Sequence, residues 1–206
     1  VEPTLEGDVL SEVQDAVRSS LLEQMQPQEV AQVTQDLETD DAADILQDLP
    51  DDVVSSVLAS MGAQNRQRLA SMLSYSEDAA GGLMNIDVVP VRADVSLDVI
   101  SRYLRQLGEI PDQTDNLMVV DRDNRYLGVL PLADILTKKA ETTVAENMIE
   151  EAGIHADTPK QDVAKIFEQR DWFSAGVIDD EGKLLGRITV DDVVDVIQEE
   201  AEHTVR

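Results

Sequence analysis

Residues 1–80 alternate short apolar stretches with polar breaks at intervals of about 12 residues. The stretches read LLEQMQPQEVAQV, DLETDDAADIL, DLPDDVVSSVL and SMGAQNRQRLASML. Thr39 and Pro50 stand at breaks and precede Asp pairs, whose carboxylates favour a helix N-terminus. Short helices at a small regular period are typical of superhelical arrays, in which each unit buries its apolar face on its neighbours. The pattern therefore predicts an all-α superhelical bundle over residues 1–80.

From Asn85 onward the pattern changes to short β-branched runs that alternate with helices, and the chain repeats itself. VVDRDNRYLGVLPLADIL (119–136) aligns without gaps on VIDDEGKLLGRITVDDVV (177–194), which pairs Gly128 with Gly186. Such a repeat indicates two copies of one supersecondary unit.

Upstream of these blocks, residues 92–104 align on residues 155–167, and the first repeat carries about five extra residues near GEIPD. Each repeat predicts the order strand, helix, strand, polar turn, strand, helix. Asp123-Asn124 and Glu181-Gly182 supply the turn chemistry of hairpins.

The charge of the chain is strongly negative, because 16 Lys and Arg stand against 43 Asp and Glu, for a net charge of −27. Nucleic acid and anionic membrane surfaces repel such a chain, so we expect cations or basic partners and no nucleic acid. The absence of Cys excludes disulfides, thiolate metal sites and Cys nucleophiles. No apolar run approaches the roughly 20 residues that span a bilayer, so we expect the chain as given to be soluble.

The last predicted helix carries four carboxylates on one stripe, at positions i, i+3, i+7 and i+10. These are Asp192, Asp195, Glu199 and Glu202, and Val193, Val196 and Ile197 mark the side predicted to pack. A second stripe in the N-terminal region consists of Asp41, Asp44 and Asp48, with Asp40 one turn before Asp44. Either stripe alone is explained by a solvated helix face. Two acidic faces in two domains also fit Mg²⁺, which takes oxygen ligands and would relieve the repulsion between the faces.

The repeats resemble the CBS domain, through a Met that opens each repeat (Met84, Met148), the V-V/I-D-x-x-x-x-L-G hairpin and the closing ITVDDV. The whole chain is similar to the cytosolic part of the MgtE family of magnesium transporters. That likeness rests on YSEDAAGGLM (75–84), on the acidic helical domain before it and on TVDDVVDVIQEEAEH at the end.

The resemblance implies an α+β multidomain fold: an acidic superhelical domain (1–80), CBS repeat 1 (81–141) and CBS repeat 2 with the start of a following helix (142–206). It implies a homodimer that forms through the CBS repeats, at the cytoplasmic face of the cell membrane. A transmembrane pore domain, the chain's own partner, is expected to follow residue 206.

The resemblance also implies several weak Mg²⁺ sites. Carried over position by position, their ligands fall on Asp8, Asp40 and Asp44 in the N domain, and on Asp171, Asp192, Asp195 and Glu200 in the second repeat. The sequence departs from the family pattern at Gln161, where an acid is expected, and at His203-Thr204, which replace an acidic pair.

A second hypothesis is a sensor of ATP or another adenine nucleotide, because tandem CBS domains often bind such ligands through a T/S-x-x-D motif. Thr189 and Asp192 fit that motif, whereas the first repeat has Pro131 in place of the hydroxyl residue. Trp172 and Phe173 offer aromatic rings for stacking, although aromatic residues at a strand start are more often core.

Neither hypothesis makes the chain an enzyme, since no acid/base pair accompanies a nucleophile motif. A third interpretation treats the acidity as an adaptation to high salt, which the low count of five Lys supports.

Overall fold

A computed structural model describes residues 15–22, 24–35 and 37–205 of the chain. The chain divides into two units, Val1–Glu77 and Asp78–Arg206. Within the described ranges no helix combines the length and apolar character needed to cross a membrane.

The described part of the first unit is all helical. Its helices are α1 (Asp15–Leu22), α2 (Pro27–Thr34), α3 (Thr39–Gln47), α4 (Asp51–Ser60) and α5 (Ala63–Met72). The helix starts follow the predicted chemistry: Thr39 and Asp51 begin α3 and α4, and each first turn carries two acidic side chains. The Glu29 carboxylate accepts a hydrogen bond from the Gln26 N–H at 2.7 Å before α2. The apolar faces meet in a core of Leu22, Val30, Val33, Ile45, Leu46, Val57, Leu69 and Met72.

The second unit begins with α6 (Ala80–Leu83) and then contains two copies of one pattern. The first copy runs through β1 (Pro90–Arg92), α7 (Leu97–Leu107), β2 (Asn116–Val120), β3 (Tyr126–Pro131) and α8 (Leu132–Thr137). After α9 (Val144–Asn147) and β4 (Ile149–Glu150), the second runs through β5 (Ile154–His155), α10 (Lys160–Arg170), β6 (Ser174–Ile178), β7 (Leu184–Thr189) and α11 (Val190–Val205).

The strand pairing is the same in both copies. β1 pairs parallel with β2, and β2 pairs antiparallel with β3; likewise β5 pairs parallel with β6, and β6 pairs antiparallel with β7. The extra residues of the first copy lie where they were predicted: residues 108–115 connect α7 to β2, whereas only residues 171–173 connect α10 to β6.

Each repeat's opening segment pairs with a strand of the other repeat. Asn85, just after Met84, forms a bridge with Arg187 in β7, and β4, just after Met148, pairs with β3 at Gly128. The paired glycines make room for these segments. A Cβ on Gly128 would lie 2.0 Å from the Ile149 carbonyl oxygen, and a Cβ on Gly186 would lie 2.6 Å from the Asn85 carbonyl oxygen. The alignment of the two glycines therefore marks an exchange of segments between repeats.

The two hairpin turns also meet each other. Tyr126 N–H donates to the Gly182 carbonyl and Leu184 N–H donates to the Asn124 carbonyl, both at 3.0 Å. Asn124 and Gly182 have positive φ, 63° and 78°, as the predicted turn residues allow. The two repeats thus form one body in which each contributes to the other's sheet edge.

Candidate metal site

Three carboxylates converge at the start of α3. Single oxygens of Glu38, Asp40 and Asp41 all lie within 4.8 Å of one another, a spacing that a metal ion can bridge. Asp40 is buried, with 6% of its surface exposed, and its two neighbours are half-buried. Within the residues that the structure describes, this acidic triad is the one group of three or more such ligands that converges.

The acidic triad matches the sequence prediction only in part. Asp40 was predicted, but the partner expected for it, Asp44, is exposed and lies outside the triad. Glu38 was missed because it precedes α3. The sequence prediction took carboxylates at helical spacing, i, i+3 and i+7, and this spacing applies only to residues inside a helix. The three acids at positions 38, 40 and 41 are nevertheless close in the sequence, so their clustering could have been noticed there.

The predicted stripe on α3 is broken at Asp48. The Arg18 Nε donates to the Asp48 carboxylate at 2.6 Å, and the two side chains are 11% and 22% exposed. Asp48 is thus neutralised within the first unit. Asp8, the third N-domain residue that the resemblance implies, lies outside the described residues.

The carboxylates of α11 lie mainly on its solvent side. Asp195, Glu199, Glu200 and Glu202 are exposed, and Asp192 is half-buried. Asp171, another predicted ligand, is exposed and ends α10 in a left-handed conformation. Of these predicted ligands, none belongs to a convergent group of three in the described residues.

The packed side of α11 is narrower than predicted. Val193 and Val196 are buried, at 3% and 2% exposed, whereas Ile197 is 49% exposed, so its predicted packing is wrong. With 3.6 residues per turn, position 197 lies about 70° around the helix from the midpoint of 193 and 196, beyond the line along which α11 packs.

Lys160 holds two of the acidic side chains of the second unit. Its Nζ lies 2.9 Å from the Glu199 carboxylate and 3.2 Å from the Asp78 carboxylate. Burial alone would lower the pKa of Lys160, but the hydrogen bonds and charges of Glu199 and Asp78 outweigh it and raise the pKa above its ordinary value. One basic residue thus supplies an internal cation where two carboxylates approach each other.

The T-x-x-D motif of the second repeat caps α11. Thr189 is buried, and its hydroxyl donates to the carboxylates of Asp191 and, at 3.2 Å, Asp192. The Asp192 carboxylate also accepts the Thr189 N–H at 3.4 Å. In the first repeat Pro131 takes the place of Thr189, so the capping hydroxyl is absent, as predicted, and α8 begins without a side-chain cap.

The two aromatic residues beside this motif differ in exposure. Trp172 is half-buried, packs edge-on against Phe167 with ring centroids 6.1 Å apart, and lies under the Arg170 guanidinium. Phe173 is 69% exposed, so the interpretation of it as core is wrong. Its carbonyl accepts the Val190 N–H at 2.8 Å, which places Phe173 next to the T-x-x-D turn.

Comparison with known proteins gives matches along almost the whole chain. Residues 1–78 match the family model of the MgtE intracellular N domain, and residues 80–141 and 148–199 match the CBS domain model. The magnesium transporter MgtE of Thermus thermophilus is 34% identical over 143 residues, which cover 69% of this chain and 32% of that protein. The MgtE of Enterococcus faecalis is 28% identical over 134 residues, 65% of this chain and 30% of that protein. The chain thus spans about a third of the length of the curated relatives it matches.

Solved structures agree with the family models. The cytosolic domain of the Mg²⁺ channel MgtE in complex with ATP has a TM-score of 0.85 and 31% identity, over 92% of this chain and 78% of that one. The soluble part of a magnesium transporter has a TM-score of 0.88 and 25% identity, over 98% and 80%. The predicted fold class, a helical N-terminal domain followed by a CBS pair, is confirmed. The matched families are not enzymes, which confirms that prediction as well.

Proposed function

The chain belongs to the MgtE family, and from that membership we propose that it is the Mg²⁺-sensing cytosolic region of a magnesium transporter. Mg²⁺ binds to carboxylates of the helical domain and of the second CBS repeat, and it favours a compact state in which the pore is closed. The chain works at the cytoplasmic face of the cell membrane, joined to its own pore domain.

The observation that carries this proposal is the acidic triad. Three carboxylate oxygens lie within 4.8 Å of one another, and one of them belongs to the buried Asp40. A small divalent cation matches such a set of oxygen ligands. Since Mg²⁺ keeps several waters and takes one or two carboxylates, a partly exposed group at a helix start suits it.

The second repeat contributes exposed carboxylates rather than a preformed cage. Asp171, Asp192, Asp195 and Glu200 remain the proposed ligands on this side, together with Asp44 and Asp8 of the helical domain. Ligands spread along an exposed helix give weak, low-selectivity sites, and several weak sites acting together give a steep response to Mg²⁺.

The coupling from Mg²⁺ to the pore follows from mass action. An ion that binds the compact state more tightly than the open one shifts the population toward the compact state. When Mg²⁺ falls, repulsion among the acidic faces favours the open state, and the pore opens. We place this equilibrium in a homodimer that forms through the CBS repeats. An exposed apolar row on α7, formed by Val99, Tyr103 and Leu107 at 40 to 43% exposure, supports such a contact.

Small-angle scattering and thermal melting of the 206-residue chain test the proposal. We expect a smaller radius of gyration and a higher melting temperature in about 10 mM Mg²⁺ than in chelator at constant ionic strength. Na⁺ at matched ionic strength must not reproduce the compaction, because equal compaction by Na⁺ would mean generic screening.

A matched pair of quadruple variants locates the sites. One replaces Asp40, Asp44, Asp192 and Asp195 with Asn, and we expect it to be compact without Mg²⁺ and to respond weakly to the ion. The control replaces four exposed acids outside the proposed sites with their amides and removes the same charge: Asp123, Glu141, Asp157 and Glu168. If both variants respond to Mg²⁺ equally, the response does not come from the proposed ligands.

A nucleotide-binding function is a second candidate, and the exposure of Phe173 beside the T-x-x-D turn favours it. An exposed aromatic ring next to Thr189 and Asp192 is available to stack on a base. A relative of 31% identity was solved with ATP. Titration of ATP and AMP in chelator tests this function, because an adenine-nucleotide sensor must bind without the metal.

A further inference from the structure

The stretch that follows the helical domain is bound to the second repeat, although the first repeat comes next in the sequence. Three backbone hydrogen bonds of 2.8 to 2.9 Å join it to residues 156–160: Ala80 N–H to the Thr158 carbonyl, Gly81 N–H to the Ala156 carbonyl and Lys160 N–H to the Asp78 carbonyl. Residues 79–82 are buried. We call residues 78–82 the entry segment, because the second unit begins at Asp78.

The Lys160 side chain extends this contact to α11. Its Nζ lies 3.2 Å from the Asp78 carboxylate and 2.9 Å from the Glu199 carboxylate. Asp78 belongs to the entry segment, Lys160 is the first residue of α10, and Glu199 lies in the second half of α11. One ammonium group therefore connects three parts of the second unit. We call the side chains of Asp78, Lys160 and Glu199 the latch.

Lys160 stands at a position where a helix disfavours a cation. The N-terminus of a helix carries a partial positive charge, which favours Asp or Glu in the first turn, as in α3 and α4. Burial also opposes the charge of Lys160, yet the two carboxylates outweigh it and raise the pKa of this lysine above its ordinary value. The helix itself gives no reason for a lysine at this position, whereas the contacts with Asp78 and Glu199 do.

The second half of α11 depends on charge contacts because packing holds mainly its first half. Val193 and Val196 are buried, whereas every residue from 197 to 202 is exposed. Most of the stability of a helix in a protein comes from packing, so an exposed stretch of this kind is only marginally stable. Glu199 lies in this stretch and reaches Lys160 at the start of α10. The latch therefore acts where α11 has the least packing.

We propose that the entry segment and the second half of α11 open and close as one cooperative unit, which the latch holds together. In the closed latch only 19% of the Lys160 side chain is exposed. When α11 moves away, Lys160 loses this cover, and its pair with Asp78 becomes a solvent-exposed pair, which contributes little. When the entry segment moves away, Lys160 loses both the Asp78 carboxylate and the backbone bond to the Asp78 carbonyl, so its contact with Glu199 weakens.

The first repeat does not belong to this cooperative unit. Its buried residues form a cluster of their own: Val91, Leu97, Ile100, Leu117, Val119, Leu130 and Val144. Proteins open in contiguous parts of different stability, and a part held by ion pairs and few buried side chains opens before a packed core does. The cluster of the first repeat therefore stays closed when the latch opens.

The latch gives the helical domain a route to α11 that bypasses the first repeat. The first unit ends at Glu77, and the next residue, Asp78, is held by Lys160 together with Glu199. A displacement of the chain at Glu77 therefore acts on the latch before it acts on the first repeat. Under the proposed function, this route carries the response of the helical domain to Mg²⁺ on to the pore domain. That consequence rests on the proposed function, whereas the shared opening does not, so the opening is tested without Mg²⁺.

Hydrogen exchange of the 206-residue chain in chelator, followed by NMR at several low concentrations of denaturant, tests the shared opening. The reporters are the amides of Ala80 and Gly81 in the entry segment, of residues 199–202 in α11 and of Val119 in the first repeat. We expect the first two groups to share one opening free energy and one dependence on denaturant, both smaller than those of Val119. A single dependence for all three groups would mean that the whole unit opens at once and would overturn the proposal.

Variants at the two ends of the latch give the decisive comparison. Glu199→Gln removes the contact on the α11 side, and we expect it to accelerate exchange about threefold in the entry segment as well as in α11. Asp78→Asn removes the contact on the other side and should accelerate both groups in the same way. The control, Lys165→Met, removes an exposed pair with Asp162 on the same helix and should leave both groups unchanged. If Glu199→Gln accelerates exchange in α11 alone, the two parts open independently and the proposal is wrong.

Discussion

Replacing Lys160 tests whether this cation offsets the repulsion between the carboxylates of Asp78 and Glu199. Lys160→Met removes the cation that lies 3.2 Å from Asp78 and 2.9 Å from Glu199. The two carboxylate oxygens are then at most about 6.1 Å apart, the sum of those distances. Their repulsion is roughly 0.7 kcal/mol in a water-like dielectric and roughly 2.7 kcal/mol at an effective dielectric constant of 20. Because Asp78 and Glu199 are 72% and 58% exposed, the lower value is the better guide.

The lost ion pairs add to that repulsion, at roughly 0.2 to 1 kcal/mol for each. We therefore expect Lys160→Met to destabilise the second unit by about 1 to 3 kcal/mol, which corresponds to about 4 to 12 °C in melting temperature. Trp172 is the only tryptophan of the chain and lies at the end of α10, so its fluorescence reports the unfolding of this unit. The control is Lys165→Met, which removes an exposed pair with Asp162 on the same helix and should cost under about 0.5 kcal/mol.

Measurements with Mg²⁺ and at different pH then distinguish an electrostatic loss of stability from a loss of packing in Lys160→Met. If the loss is electrostatic, Mg²⁺ restores more stability to Lys160→Met than to the wild type, and Na⁺ at equal ionic strength restores less. The pKa of Lys160 is raised above 10.5 in the folded state, so its contribution is complete below 10.5 and disappears as the pH rises through the raised value. Melting curves of variant and wild type should therefore converge at strongly alkaline pH. An unchanged melting temperature at pH 7, or a gap that persists at alkaline pH, would refute this reasoning.

Three further predictions test the seam between repeats and the second candidate function. Gly186→Ala places a Cβ 2.6 Å from the Asn85 carbonyl oxygen, so we expect a loss of roughly 2 to 4 kcal/mol in chemical denaturation, against under about 0.5 kcal/mol for Gly62→Ala, whose Cβ meets open space. Burial raises the pKa of Glu151 above its ordinary 4.5, so ionisation of this side chain lowers the stability of the folded state. Glu151→Gln should therefore stabilise the chain at neutral pH. It should also abolish the fall in stability that the wild type shows as the pH rises from 4.5 through the raised pKa. Phe173→Ser should leave the melting temperature nearly unchanged because Phe173 is 69% exposed, yet weaken nucleotide binding about tenfold by calorimetry; equal affinity would remove this ring from the nucleotide hypothesis.

Local signals in the sequence were sufficient for much of the fold. The internal repeat, the turns at Asn124 and Gly182 and the extra residues 108–115 all depend on short-range chemistry that a sequence displays directly. The starts of α3 and α4 followed from Thr39, Pro50 and the Asp residues after them. Each of these features is fixed by neighbouring residues, so none required knowledge of the packing.

Long-range contacts were the part that the sequence did not display. The Gly128–Gly186 alignment was visible, but nothing local indicated that each glycine receives the opening segment of the other repeat. Glu38 lies in the acidic triad because the backbone turns into α3 at this residue, and the i, i+3, i+7 spacing of a helix does not describe residues before the first turn. Phe173 was expected in the core because aromatic residues at strand starts usually pack, and here the packing is done by Trp172.

The arrangement of charge favours the proposed sensor over a general adaptation to high salt. An adapted surface spreads carboxylates where water and salt hydrate them, and it gains nothing from burying one. Asp40 is only 6% exposed and converges with Glu38 and Asp41, so this group carries a desolvation cost in addition to repulsion. A convergence of three carboxylates around one buried member is therefore not what an adaptation to high salt predicts, whereas it is what the proposed Mg²⁺ site requires.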